Sequence, residues 1–274
     1  MAAALSFAQC GDQTIAYRES GAPNGPAIVF AHAMGFDHRV WDAVIAELAQ
    51  GLRIVSYDLR GHGASSTPPA PYSMGAMIRD AETLLDHLNI RDCIFVGSSI
   101  GGMIAQGLAV KRLDQIRALV LANTVSKIGT KETWARLIDE VQAAGLESRF
   151  DTDLAQSFSA RFRASLDIAP WRTMLRAQRP EAFLGCAAAI AGSDFYTTSA
   201  SLRLPCLVIA SSEDAITPAD MVRELSDLIP GSTFRLIRKA GHLPMIEQPQ
   251  DFAAALNGFL AAIGHARNGP GKSA

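Results

Sequence analysis

Little in this chain of 274 residues marks it for export, for a membrane or for a nucleic acid. Cysteine is scarce: Cys10, Cys93, Cys186 and Cys206 stand far apart, with no Cys-x-x-Cys pair. Such scatter argues against a disulfide framework and zinc spacings, and a cytoplasmic protein with reduced thiols is the expectation. Neither sign of charge dominates, 25 Lys and Arg standing against 27 Asp and Glu. No basic face therefore invites nucleic acid or an anionic membrane. Met1-Ala2-Ala3-Ala4-Leu5 lacks both a charged lead and a sustained apolar stretch, so no secretory signal is expected. No apolar run approaches the roughly 18 residues of a spanning helix. P-loop and dinucleotide fingerprints are missing as well, and neither cofactor nor metal is expected. What the chain has is 49% hydrophobic residues over a length that can bury a large core.

The apolar residues fall into short runs with helical segments between them. Leu5 to Cys10 and Thr14 to Glu19 read as two strands around Gly11-Asp12. Ala27 to Ala31, Arg53 to Tyr57, Cys93 to Val96, Ile116 to Ala122, Cys206 to Ala210 and Thr233 to Ile237 are the further strands. Trp41 to Ala49, Met74 to Leu88, Met103 to Val110, Ala219 to Leu228 and Pro249 to Ala262 carry helical spacing. Strands apolar on both faces, alternating with helices, predict an α/β fold with a mostly parallel central sheet and helices on both sides. The rhythm changes after Asn123. Lys131 to Ala144, Leu154 to Leu166 and Trp171 to Ala191 read as successive helices, with breaks marked by Pro170, Pro180 and glycines. This predicts a helical cap, 124–196, inserted into a core made of 1–123 and 197–274. The last stretch, Gly264 to Ala274, is rich in Gly, Lys and Ser and is expected to be disordered.

Gly97, Ser99 and Gly101 form Gly-x-Ser-x-Gly where the strand Cys93 to Val96 meets the helix from Met103. That is the setting of a nucleophile elbow, in which glycines permit a sharp turn and lift the serine hydroxyl clear of the sheet. A serine hydroxyl needs a general base, and the chain has six histidines. His242 follows the strand Thr233 to Ile237, at the sheet edge where open α/β sheets build their sites. His87 lies within a helix and His265 in the tail, both expected to face solvent, while His62 precedes Ser99. His242 is the expected base. Asp214 follows the strand ending at Ala210 and is the expected third member, with adjacent Glu213 as competitor. Asn123, at the other available strand end, cannot carry the charge. Attack on a carbonyl also builds charge on oxygen, which backbone N–H groups stabilise. Ile100 supplies one donor at the start of its helix. The second lies in His32-Ala33-Met34-Gly35, with Met34 the first choice and Ala33 the alternative, while His32 props up the loop.

The chain order Ser99, Asp214, His242, together with the surrounding motifs, resembles the α/β-hydrolase superfamily. The match runs from residue 12 to residue 263. It rests on Ala31-His32-Ala33-Met34-Gly35, Asp58-Leu59-Arg60-Gly61-His62-Gly63, Gly97-Ser98-Ser99-Ile100-Gly101-Gly102, Ser212 to Pro218 and Gly241-His242. Within it, Leu119 to Thr130 and Thr133-Trp134 are similar to the start of the cap in 3-oxoadipate enol-lactonases. Those enzymes open an enol-lactone ring in the β-ketoadipate route of aromatic catabolism. They carry Asn-Ser-Leu-Gly where this chain has His32-Ala33-Met34-Gly35, and leucine where it has Ser98. The resemblance implies hydrolysis of a small ester or lactone through an acyl-enzyme, with no cofactor. Because the enol-lactone is an anion, it also implies a cation on the cap, for which Lys127, Arg136, Arg161 and Arg163 are candidates. Trp134 is expected in the pocket wall or in the cap core. A general carboxylesterase or a carbon–carbon bond hydrolase would use the same three residues, and a ligand-binding receptor of this fold can keep them. A haloalkane dehalogenase or epoxide hydrolase needs aspartate where Ser99 stands.

Overall fold

Eight strands form one sheet in the computed structural model, which describes residues 4–265. They are β1 (Leu5–Cys10), β2 (Gln13–Gly21), β3 (Ala27–Ala31), β4 (Arg53–Tyr57), β5 (Cys93–Ser98), β6 (Ile116–Ala122), β7 (Cys206–Ser211) and β8 (Thr233–Ile237). Their order across the sheet is β1-β2-β4-β3-β5-β6-β7-β8. β2 runs antiparallel to both β1 and β4, and every other pair is parallel. All residues of β3, β5 and β7 are buried. Such strands must be covered twice, and their alternating side chains sort into two cores. In β5, Cys93 and Phe95 enter one core and Ile94 and Val96 the other. The short α1 (Asp42–Ala46), with α11 (Pro244–Glu247) and α12 (Pro249–Ala262), buries Val44, Met245 and Phe252 in the second core. On the opposite face α2 (Met74–His87), α3 (Ile100–Lys111) and α10 (Ala219–Leu228) bury Leu84, Met103 and Val222. Each such side chain contributes about 1.5–3 kcal/mol.

Between β6 and β7 the chain makes α4 (Lys131–Ala144), α5 (Phe150–Ser157), α6 (Ala160–Arg163), α7 (Ala169–Arg176), α8 (Pro180–Ala191) and α9 (Tyr196–Ser201). Thr130 starts α4 by accepting the Thr133 N–H at 3.2 Å. The single helix expected from Leu154 to Leu166 is interrupted: Phe158 is extended (φ −129°, ψ 146°), and Ser159 caps α6. The helix expected from Trp171 to Ala191 is likewise two, because proline pushes the preceding residue, Arg179, out of helical geometry (φ −84°, ψ 134°). Pro180 then opens α8, where its missing N–H costs nothing. The expected helix Trp41 to Ala49 contracts to a 3₁₀ turn, His38–Trp41, followed by α1. No helix among the described residues is long and apolar enough to cross a membrane.

The expectation for the end of the chain needs correction at Gly264 and His265. Gly264 (φ 69°) sends its N–H to the Ala261 carbonyl at 3.1 Å, and His265 sends its own to Leu260 at 2.9 Å. Those two bonds are a Schellman cap closing α12. The His265 ring is buried rather than solvent-facing, with Nε2 3.0 Å from the Ala27 carbonyl at the start of β3. A glycine read as the start of a loose tail is a helix stop. The rest of that expected tail, 266–274, lies outside the described residues.

Candidate active site

Ser99 stands between the last residue of β5 and the first of α3, at φ 55° and ψ −119°. A non-glycine residue held there stores roughly 1–3 kcal/mol of strain, which its surroundings must offset. Its N–H donates to the Ala122 carbonyl at 3.0 Å, and its carbonyl accepts the Thr124 hydroxyl at 2.7 Å. The flanking glycines are required by crowding. A Cβ on Gly97 would lie 2.2 Å from the Gly101 carbonyl oxygen, and one on Gly101 would lie 2.5 Å from that of Ala31. Ser98 is fully buried, and its hydroxyl has no partner among the described residues.

Asp214 lies beyond the end of β7, and His242 beyond β8. The imidazole Nδ1 is 2.9 Å from one Asp214 oxygen and 3.0 Å from the other. The same carboxylate accepts the Ile216 N–H (2.8 Å), the Thr217 N–H (3.0 Å), the Thr217 hydroxyl (2.7 Å) and the Asn123 amide (2.6 Å). Burial works to raise its pKa, but the His242 charge and these hydrogen bonds outweigh burial and hold it at about 2. Glu213, the competitor, is exposed. Asn123 is the group that sequence reasoning set aside. It sits at φ 46° after β6, accepts the Ser211 hydroxyl at 3.3 Å and turns its Nδ2 onto Asp214. A polar residue at a third strand end, next to the other two, was the available signal.

The loop after β3 is fixed by two histidines. His32 donates Nδ1–H to the Ala33 carbonyl (2.8 Å) and accepts the Leu59 N–H at Nε2 (2.9 Å), so it braces the loop as expected. His62 accepts the Gly35 N–H at 3.0 Å and donates to the Arg60 carbonyl at 3.1 Å. Both tautomers follow from these partners. Burial lowers the pKa of each, that of His62 to about 3, so both rings are neutral. The N–H groups of Ala33, Met34 and Ile100 donate to nothing among the described residues. Of the two loop alternatives, Met34 lines the cavity that holds Ser99, and Ala33 does not.

That cavity, of about 230 Å³, brings together Met34, Ser99, Trp134 and His242. Trp134 lines the cavity and is also a buried residue whose indole N–H donates to the Ile128 carbonyl at 2.6 Å. None of the four candidate cations reaches this space. Lys127 pairs with Asp194 at 3.3 Å, Arg136 and Arg163 are exposed, and Arg161 lines a separate cleft of about 580 Å³. The cation on the Ser99 cavity is Arg149, from the 3₁₀ turn before α5. A further tie joins the helical segment to the His242 loop. Glu247 accepts the N–H groups of Gly241 (2.9 Å) and Ser159 (3.0 Å) as well as the Ser159 hydroxyl. The His242 N–H meets the Ser157 carbonyl at 3.0 Å.

Asp37, His38 and Asp58 are the one cluster among the described residues with metal-ligand proximity. Both carboxylates are already engaged: Asp37 holds the Arg39 guanidinium, and Asp58 accepts the His38 ring and N–H and the Ala64 N–H, while His38 Nε2 is buried without a partner among the described residues. That pattern is a structural brace for the loops around β4.

The model of the alpha/beta hydrolase family matches residues 28–255. Over 251 residues the chain is 32% identical to 3-oxoadipate enol-lactonase 2 of Acinetobacter baylyi, a match covering 91% of this chain and 94% of that protein. Among solved structures, a hydrolase from Pseudomonas aeruginosa PA01 superposes with a TM-score of 0.89 at 34% identity, over 93% of this chain and 98% of that one. The enol-lactonase from Burkholderia xenovorans LB400 also superposes with a TM-score of 0.89, at 28% identity, over 93% of this chain and 100% of that one.

Proposed function

The chain belongs to the alpha/beta hydrolase family, and from that premise we propose that it hydrolyses a small ester or lactone through an acyl-enzyme on Ser99, with 3-oxoadipate enol-lactone as the leading substrate. One observation carries the reading: Ser99, strained at φ 55°, shares a cavity with a histidine whose Nδ1 is held by Asp214. Similarity to two enol-lactonases supports the lactone as substrate.

His242 Nε2, the nitrogen turned away from Asp214, takes the Ser99 proton as the oxygen attacks the carbonyl carbon. Asp214 stays ionised, fixes the tautomer and stabilises the imidazolium. Asn123 and Thr217 hold that carboxylate in place. The N–H groups of Met34 and Ile100 receive the oxyanion, each such donor being worth roughly 2.7–4 kcal/mol. The positive end of α3 adds to their effect. His242 then protonates the leaving oxygen, which in an enol-lactone departs as an enol and becomes a ketone. Water deprotonated by His242 attacks the acyl carbon, breaks its bond to Ser99 and releases the acid. Residues 124–196 act as the cap that keeps bulk water from these steps.

The Ser99→Ala protein is expected to fold and to lose turnover of both the enol-lactone and a short p-nitrophenyl ester, by roughly 10⁴-fold or more. Undiminished hydrolysis of both would sink the scheme. Rapid ester cleavage by the unaltered protein without lactone opening would remove the lactone and leave the serine hydrolase.

A further inference from the structure

Two buried donors on the Ser99 cavity have no acceptor. Arg149 Nε and Gln178 Nε2 are both shielded from solvent and lack a partner among the described residues. An unmet buried donor costs about 1–3 kcal/mol, more when charged, and a fold that leaves two of them on one cavity wall leaves them for something that enters.

The Arg149 head is preorganised. Its Nη2 donates to Asp153 at 2.8 Å, its Nη1 reaches Glu140 at 3.4 Å, and the guanidinium carbon lies 5.8 Å from the centre of the Phe183 ring. Two of its nitrogens are thus tied and the third is open. Gln178, between α7 and α8, has its amide Nε2 without a partner among the described residues. Its amide lies 3.4–3.5 Å from where a Cβ on Gly35 would stand, next to the loop that carries Met34. Much of the cavity is apolar, including Met34, Leu137, Leu175 and Phe183. Gln178, together with Asp153, the partner of Arg149, also lines a second cavity of about 530 Å³.

Resting on the hydrolase reading above, we propose that Arg149 and Gln178 form a carboxylate-binding subsite in the Ser99 cavity that anchors an acid group of the substrate, apart from the bond to be cleaved. A carboxylate brings oxygen acceptors and no donor, which complements two donors lacking acceptors. Asp153 contacts Nη2 and leaves Nε without a partner among the described residues. Burial also pushes the Asp153 carboxyl upward, so it takes up a proton more readily than an exposed aspartate when a second anion arrives. Glu140 is half exposed and screened by water.

The test uses two p-nitrophenyl esters of equal acyl length, the glutarate half-ester and the valerate, which differ in a terminal carboxylate. The reading is the ratio of their kcat/KM values. Gln178→Met breaks no internal hydrogen bond, and the double variant Arg149→Met, Asp153→Leu strands no buried carboxylate, since Glu140 is half exposed. Each is expected to lower the acid-to-neutral ratio by about 10- to 100-fold, the range of one charge-assisted hydrogen bond. Ratios equal to that of the unaltered protein overturn the subsite. A second measurement does not depend on turnover: calorimetric binding of monomethyl glutarate against dimethyl glutarate to Ser99→Ala, with and without Gln178→Met. Preference for the monoacid, lost with Gln178→Met, supports the subsite; equal binding of the two overturns it. Failure of the hydrolase reading looks different, as the same slow turnover with and without Ser99.

Discussion

His62 is a base denied its proton. Burial, followed by the nearby His32, holds its pKa at about 3, against the weaker pull of the Arg60 carbonyl and Asp58. The unfolded chain takes up that proton near pH 6.5. As pH falls from 6.5 toward 3 the unfolded state therefore gains protons first, and stability drops by about 1.4 kcal/mol per pH unit. His32, lowered by burial too, acts with the same sign. Asp214 enters later, since its ionic contribution is present above about pH 4 and fades as pH falls toward 2. Urea unfolding at pH 5 is expected to give a stability about 2 kcal/mol below that at pH 7 from His62 alone. His62→Gln, whose amide can both accept from Gly35 and donate to Arg60, should flatten that dependence; an unaltered slope would assign the loss elsewhere. At this scale the sequence was legible in placement: Ser99, Asp214 and His242 follow the ends of β5, β7 and β8 as expected. Asn123 was passed over because it was weighed as a carboxylate, when its part is to hold one through a 2.6 Å bond made from a left-handed backbone.

The β5–α3 junction works because two backbones touch where side chains would ordinarily intervene. Gly101→Ala places a methyl 2.5 Å from the Ala31 carbonyl oxygen, a backbone atom that cannot rotate away. The cost is expected near 1–3 kcal/mol, which for a chain of this size lowers Tm by roughly 2–10 °C. Turnover should fall with it, since Ile100 and the loop after β3 both shift. Gly258 is the control: it is exposed within α12, nothing lies within 4 Å of a Cβ there, and alanine should stabilise by about 0.5–1 kcal/mol. Scanning calorimetry of the two variants checks both signs; a Gly101→Ala protein as stable as the original would show that the junction relaxes. The parallel strands were readable because burial on both faces leaves unbroken apolar runs such as Ala27 to Ala31 and Cys206 to Ala210. The helix break at Phe158 was harder to read, since it depends on docking against the His242 loop, whereas Pro180 already marked the one at Arg179.

Across the whole molecule, the helical segment and the sheet are joined at Glu247. Its side chain holds N–H groups from Gly241 on one side and Ser159 on the other, all three residues being buried or nearly so. Glu247→Ala strands both donors, each at about 1–3 kcal/mol. Faster amide exchange is expected at Ser159, Gly241 and His242, with little change in β5 and β6; uniform acceleration across the sheet would make Glu247 a general stabiliser rather than a tie between layers. Such long-range pairings, like Arg149 with the Ser99 cavity, were not legible beforehand, because they depend on how separate helices pack and not on any local pattern. The sheet itself carries a further consequence. Ser99, Asn123, Asp214 and His242 follow β5, β6, β7 and β8, which are neighbours in the same order as they are synthesised. A growing or prematurely ended chain thus completes its serine long before its histidine. On the mechanism proposed above, that serine stays as unreactive as one in open solution until the final strand has docked, and a half-made molecule is no stray esterase.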